Sequence, residues 1–206
     1  MMKKILILVA ALALTIGATA QEKPFTYGIK AGLTISQISS GIMGNLVFPA
    51  DASIVPNYDV DATDMLIGFF VSGHFNYSFG HFFGIQPELS FSMQGGKELG
   101  TTYHFNYINV PVLFEVKPVT NFSIFVGPQI GFNIYKSETI NGNTIPRSYI
   151  YIKTVDWAAV VGLQYAIMDK YLISARYNIG FSTVFDGDKI SGRANRVLQF
   201  GIGYQF

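Results

Sequence analysis

The sequence predicts an all-β fold: an eight-stranded antiparallel up-and-down β-barrel that crosses a membrane. Three observations predict it. Half of the 206 residues are hydrophobic and only 13% are charged, against about 25% charged in a typical soluble domain. No apolar run beyond residue 21 reaches the ~20 residues of a membrane helix. The longest are Met65–Val71 and Trp157–Leu163. Apolar residues instead recur at every second position, the period of a strand with one greasy face. A closed sheet of such strands spans lipid with every backbone group paired.

The elements follow in order. Tyr27, Ile29, Ala31, Leu33 and Ile35 alternate with Gly28, Lys30, Gly32, Thr34 and Ser36. The second strand runs from Met65 to Phe79, with Ser72, His74 and Asn76 on the opposite parity. The third runs from Phe83 to Met93 and carries Gln86 and Glu88. The fourth has Ile108, Val110, Val112, Phe114 and Val116 on one face and Asn109, Pro111, Leu113 and Glu115 on the other. The fifth spans Phe122 to Ile134, the sixth Val155 to Tyr165, the seventh Tyr171 to Phe181 and the eighth Leu198 to Phe206. Each is near or above the 9–11 residues that cross a bilayer at a tilt.

Two features depart from regular ladders. Tyr103, Phe105 and Tyr107 hold the odd parity before the apolar set moves to even at Ile108, which predicts a bulge near Tyr107–Asn109. Pro87, Pro111 and Pro128 lie inside strands, so each must sit at a bulge or a locally unpaired position, because proline has no N–H to give a ladder.

Connections alternate in length. Gly80-His81, Pro118–Asn121 and Ala166–Lys170 are short, whereas Ile38–Asp64, Gly95–Thr102, Lys136–Thr154 and Asp186–Arg196 are longer. Short turns belong to the periplasmic rim and long loops to the exterior of an outer-membrane barrel. Tyr27, Tyr77, Phe79, Phe83, Phe122, Tyr165, Tyr171 and Tyr204 then gather at the periplasmic rim, and Phe91, Phe132, Trp157 and Phe181 toward the outer one. Two such belts mark two lipid–water boundaries.

Residues 1–20 read as a cleaved signal peptide: Met-Met-Lys-Lys, an apolar run from Ile5 to Leu14, and Ala18-Thr19-Ala20 before Gln21. The apolar run is too short for a comfortable membrane anchor. The barrel domain is residues 21–206, and localisation is the outer membrane of a Gram-negative bacterium. Net charge is +1, and cleavage removes Lys3 and Lys4, so nothing draws the chain to nucleic acid. The absence of cysteine excludes disulfides, thiolate metal sites, Cys nucleophiles and a lipoprotein anchor.

The Gly-rich first strand Tyr27-Gly28-Ile29-Lys30-Ala31-Gly32-Leu33 is followed by Tyr107-Ile108-Asn109-Val110-Pro111-Val112-Leu113. Then come Val126-Gly127-Pro128-Gln129-Ile130-Gly131, Arg176-Tyr177-Asn178-Ile179-Gly180-Phe181 and the closing Gly201-Ile202-Gly203-Tyr204-Gln205-Phe206. Taken together, in this order and spacing, they resemble the PorT-type outer-membrane β-barrel family over nearly all of residues 21–206. The resemblance implies a barrel of about eight strands and no single activity. Tyr204-x-Phe206 also looks like the terminal aromatic signal read by the barrel-assembly machinery, a partner expected during insertion into outer-membrane lipid.

The bore of such a barrel is filled by side chains. Its parity carries Lys30, Glu88, Glu115, Asp156 and Arg176, with Gln86, Gln129, Gln164 and Gln199 among them. Buried charges are costly unless paired, so Arg176 and Lys30 are expected to pair with some of Glu88, Glu115 and Asp156 in a structural polar cluster. A gated solute path or proton relay is the sharper alternative. His74 is expected to hydrogen-bond lumen neighbours and His81 to sit solvated in a turn. His104 lies at the outer edge of the fourth strand, without a serine and acid at a spacing that marks catalysis.

No catalytic, cofactor or metal-ligand spacing appears. Asp51, Asp59, Asp61 and Asp64 lack the Gly-centred calcium-loop pattern and read as a solvated loop. Leu46, Val47, Phe48, Ile54 and Val55 in the same loop offer a surface to the barrel mouth or to a protein partner. The expected function is therefore non-enzymatic, structural or partner-binding through the extracellular loops. A narrow porin-like transporter is the alternative and a lipid-modifying enzyme the third reading.

Overall fold

The computed structural model describes residues 24–40, 64–98, 100–140, 143–146, 154–182 and 193–206. The proposed signal peptide, Asp51, Asp59, Asp61 and the apolar loop residues from Leu46 to Val55 lie outside the described residues.

Alternation becomes a wall. The strands are β1 (Phe25–Ser40), β2 (Leu66–Phe79), β3 (Phe83–Glu98), β4 (Thr101–Val119), β5 (Phe122–Ile140), β6 (Asn143–Pro146), β7 (Val155–Ile167), β8 (Tyr171–Gly180) and β9 (Arg193–Gln205). Their order is β4-β3-β2-β1-β9-β8-β7-β5, with β4 also pairing β5. Eight long antiparallel strands therefore close on themselves, which leaves no sheet edge for lipid to desolvate. The short β6 pairs only with β5, from Ser137↔Pro146 to Ile140↔Asn143, and so lengthens one hairpin beyond the barrel.

Side chains sort by parity. Ile67, Phe75 and Ile202 on the outer face are 71%, 67% and 73% exposed, which in water would be an unmanageable surface and in lipid is the required one. Thr34, Ser36, Ser72, Ser92 and Asn178 on the inner face are buried.

The lumen is filled by matching large side chains to glycines. A Cβ on Gly201 would lie 2.6 Å from Phe70 Cζ, one on Gly203 2.6 Å from Lys30 Cγ, and one on Gly84 2.7 Å from Glu115 Oε2. Each glycine thus vacates the volume that a large inward residue occupies.

The tight turns at the short end need left-handed backbone: Gly80 has φ 75° and Asn121 φ 69°, the residue types that tolerate it. Rings gather at this rim in contacting pairs, Phe25 with Tyr77, Tyr171 with Tyr204, and Phe206 with both Tyr27 and Tyr204. At the other rim Phe132, Trp157 and Phe181 are exposed.

The in-strand prolines fall where a ladder is interrupted. Pairing of β2 with β3 passes from His74↔Glu88 to Tyr77↔Ile85, so the hydrogen bond Pro87 would donate to Phe75 is missing. Pairing of β3 with β4 passes from Pro87↔Val112 to Ser90↔Asn109 across Pro111, and that of β4 with β5 from Pro111↔Gln129 to Phe114↔Val126 across Pro128.

Three expectations are corrected. Gly95–Thr102 is not a loop: the ladder continues through Lys97↔Thr102 and Glu98↔Thr101, and Gly100 at φ 80° closes the turn. Lys136 and Arg196 likewise belong to β5 and β9 rather than to loops. The parity of β4 does not switch. A register shift does lie between Asn106 and Tyr107, but the extra residue is Ile134 on β5. Phe105 and Tyr107 point inward and are buried with Ile38, with Tyr103 packed against them. These rings fill the bore near its outer mouth.

Candidate functional site

The candidate site is the bore, where strand register decides which charges meet. Lys30 comes from β1, Glu88 from β3 and Arg176 from β8. Strands β3 and β8 are four apart in an eight-strand circuit, so a contact between them crosses the full width of the barrel.

Glu88 is the hub. Arg176 grips it with two hydrogen bonds, Nη1 to Oε2 and Nη2 to Oε1, both 2.6 Å. Lys30 Nζ donates to Oε1 at 2.6 Å, and Gln86 Nε2 does so at the same distance. A forked guanidinium on a carboxylate is the strong form of this interaction, and all four side chains are buried.

The network continues downward. Asn76 Nδ2 reaches Gln86 Oε1 at 3.2 Å and Glu115 Oε2 at 2.6 Å. Ser123 Oγ donates to Glu115 Oε1 at 2.6 Å. Lys117 Nζ lies 3.6 Å from Glu115 Oε2 and donates to Ser78 Oγ at 3.0 Å. One hydrogen-bonded chain therefore crosses the bore from β8 to β5.

Of the five charged residues read from the sequence, three meet in one contact: Lys30, Glu88 and Arg176. Glu115 joins through Asn76 and Gln86 rather than by pairing with either cation. Asp156 stands apart, toward the outer end of β7, beside Ser182 and Arg196. Sequence reasoning missed Asn76, Ser123 and Lys117 as partners of Glu115. All three lie on the lumen parity, but nothing in that parity says which of its members touch.

The histidines divide. His74 is buried, and neither ring nitrogen has a hydrogen-bond partner, contrary to expectation. It lies opposite Glu88 in register, but both oxygens of Glu88 are already taken. His81 is exposed in the turn after β2. His104 has Ser137 directly across from it on β5, a serine the sequence alone did not place there.

Two apolar groups also occupy the bore: Leu113, Phe125 and Val160 on the β4–β7 wall, level with the charged network, and Ile38, Phe105 and Tyr107 nearer the mouth.

A family comparison agrees with this architecture. Residues 19–186 match the family model described as outer membrane protein beta-barrel domain. Among solved structures, Ail, the attachment invasion locus protein of Yersinia pestis, is 18% identical with a TM-score of 0.49, covering 88% of this chain and 98% of that one. Neisserial surface protein A is 12% identical at a TM-score of 0.47, covering 87% and 95%. OprG of Pseudomonas aeruginosa is 16% identical at 0.43, covering 90% and 97%. No curated protein matches. With a family model that spans most of its length and a closed barrel of eight strands, this chain belongs to the outer membrane protein beta-barrel domain family of the bacterial outer membrane.

Proposed function

We propose that this chain is a plugged, non-enzymatic barrel of the PorT type, exported by cleavage after Ala20, which serves as a structural or partner-binding element of the outer membrane. The observation that carries this reading is the crossing of the bore by Arg176, Glu88 and Lys30 at 2.6 Å. A carboxylate held by four donors is not free to escort a solute, and opening the path would strand buried charge.

Partner contact falls to the outer rim. Strands β3, β4 and β5 run 16, 19 and 19 residues, well beyond the 9–11 that cross a bilayer, whereas β8 has 10. The hairpins on the β3–β6 side therefore stand above the membrane and offer backbone and polar side chains to an extracellular protein.

The test is planar-bilayer recording of the folded mature chain, wild type and Arg176→Ala. The plugged reading expects no resolvable conductance in the wild type. Stepwise conductance in the wild type that changes in Arg176→Ala would establish the porin-like reading instead. A pull-down from gently solubilised outer membranes, with and without the β3–β4 hairpin tip, then tests the partner role: a partner lost on trimming supports it, and a wild type that captures none opposes it.

A further inference from the structure

The outer half of the bore contains a cavity of about 10 Å³ whose wall includes Gln94, Asn109, Gln129, Asp156, Asn178 and Asn195. That volume accommodates one species the size of a water molecule. Three oxygens of the lining residues are buried with no hydrogen-bond partner: Asp156 Oδ1, Asn178 Oδ1 and Asn195 Oδ1. Asn178 and Asn195 are each only 3% exposed. They come from β7, β8 and β9, which are consecutive in the wall. The Asn195 amide is oriented by its own bond, Nδ2 to Gln94 Oε1 at 3.0 Å, so its oxygen is committed to the other side. Asn109 and Gln129 are bonded to each other, Gln129 Nε2 to Asn109 Oδ1 at 3.3 Å.

All three free atoms are acceptors, and one belongs to a carboxylic acid. A water molecule donates two hydrogen bonds and would leave the third oxygen unmet. A metal cation satisfies all three at once, and hard oxygen ligands of the carboxylate and carbonyl kind select hard cations. Charge fixes the valence. The lining holds one carboxylate, so a monovalent ion adds less uncompensated charge to a low-dielectric bore than a divalent ion does. Arg196, which acts electrostatically on Asp156 and donates to the Gly180 carbonyl at 2.6 Å, opposes the divalent ion further.

We propose that this cavity binds one desolvated monovalent metal cation of about sodium size, held by Asp156 Oδ1, Asn178 Oδ1 and Asn195 Oδ1, which ties the outer ends of β7, β8 and β9 together.

The experiment uses the folded mature barrel in detergent. Its urea midpoint is followed by fluorescence of Trp157, the only tryptophan and the neighbour of Asp156. Chloride salts of sodium, potassium and choline are compared at equal ionic strength, with calcium chloride as a further arm, and ²³Na line broadening gives an independent reading. The midpoint is expected to rise with sodium concentration relative to choline. Asp156→Asn should abolish the sodium effect and the line broadening. Asn178→Ala, the gentler change, should raise the half-saturating sodium concentration by about tenfold. Asn178→Asp, which adds a second carboxylate, should shift the preference to calcium. A wild-type midpoint that is the same in sodium, potassium and choline overturns the proposal, as does stabilisation by calcium but not by sodium.

Discussion

Glu88 is the residue on which the bore depends. Glu88→Gln keeps the shape but leaves Lys30 and Arg176 buried without a counter-charge, and breaking a buried ion pair from one side costs about 3–5 kcal/mol. Urea unfolding of the barrel in detergent should show a loss of that size, and a change below about 1 kcal/mol would mean that water reaches the site and the plug is loose. Gly201 tests the opposite sense. Its missing side chain is the space that Phe70 fills, so Gly201→Leu overpacks the bore and is expected to destabilise by about 1–3 kcal/mol. Pairing it with Phe70→Ala should recover part of that loss, which a double-mutant cycle measures. Of these contacts the sequence disclosed the inward parity of Lys30, Glu88 and Arg176. It did not disclose the partnership, because alternation fixes the face a side chain takes and says nothing of its height or its position around the circuit.

At the level of the strands, Pro87, Pro111 and Pro128 interrupt three successive ladders along β2, β3, β4 and β5. Each removes a backbone donor from its neighbour's carbonyl, and lipid supplies no replacement. Pro111→Val restores the donor facing Glu88's carbonyl and suits a strand. A gain of about 1 kcal/mol in unfolding free energy is expected, the net worth of one hydrogen bond. No gain would show that the strand has already adapted by bending. The prolines were legible as breaks from the sequence because the missing N–H is a property of the residue itself. The continuation of β3 and β4 past Gly95 was not. Gly95, Gly96 and Gly100 read as loop residues, yet Gly95 pairs with His104 and Gly96 with Tyr103 across the strands, and Gly100 closes the turn. The run Tyr103, Phe105, Tyr107 misled for a related reason. A run of aromatic residues on one parity reads as a lipid-facing set, whereas these rings turn into the bore against Ile38.

For the whole molecule the outward face sets the solvent. Ile67, Phe75 and Ile202 form part of a continuous apolar belt, so the mature chain should sediment as a monodisperse particle only with detergent or lipid and aggregate in plain buffer. Phe200→Lys, at an outward position near the middle of β9, should cost about 2–4 kcal/mol, measured by refolding into lipid vesicles. A stable, monodisperse particle without detergent would remove the chain from the membrane altogether.

By itself the sequence determined the wall: a period of two, repeated in eight segments separated by turn residues, leaves a closed membrane sheet as the arrangement that pairs every backbone group. The tertiary structure alone decided the interior. Closure set β8 across from β3 and brought Arg176 to Glu88, while strand register carried Asp156 up toward Asn178 and Asn195 and away from Lys30, Glu88 and Arg176. Those outcomes depend on the stagger of strands distant in the chain, a quantity that local alternation does not encode.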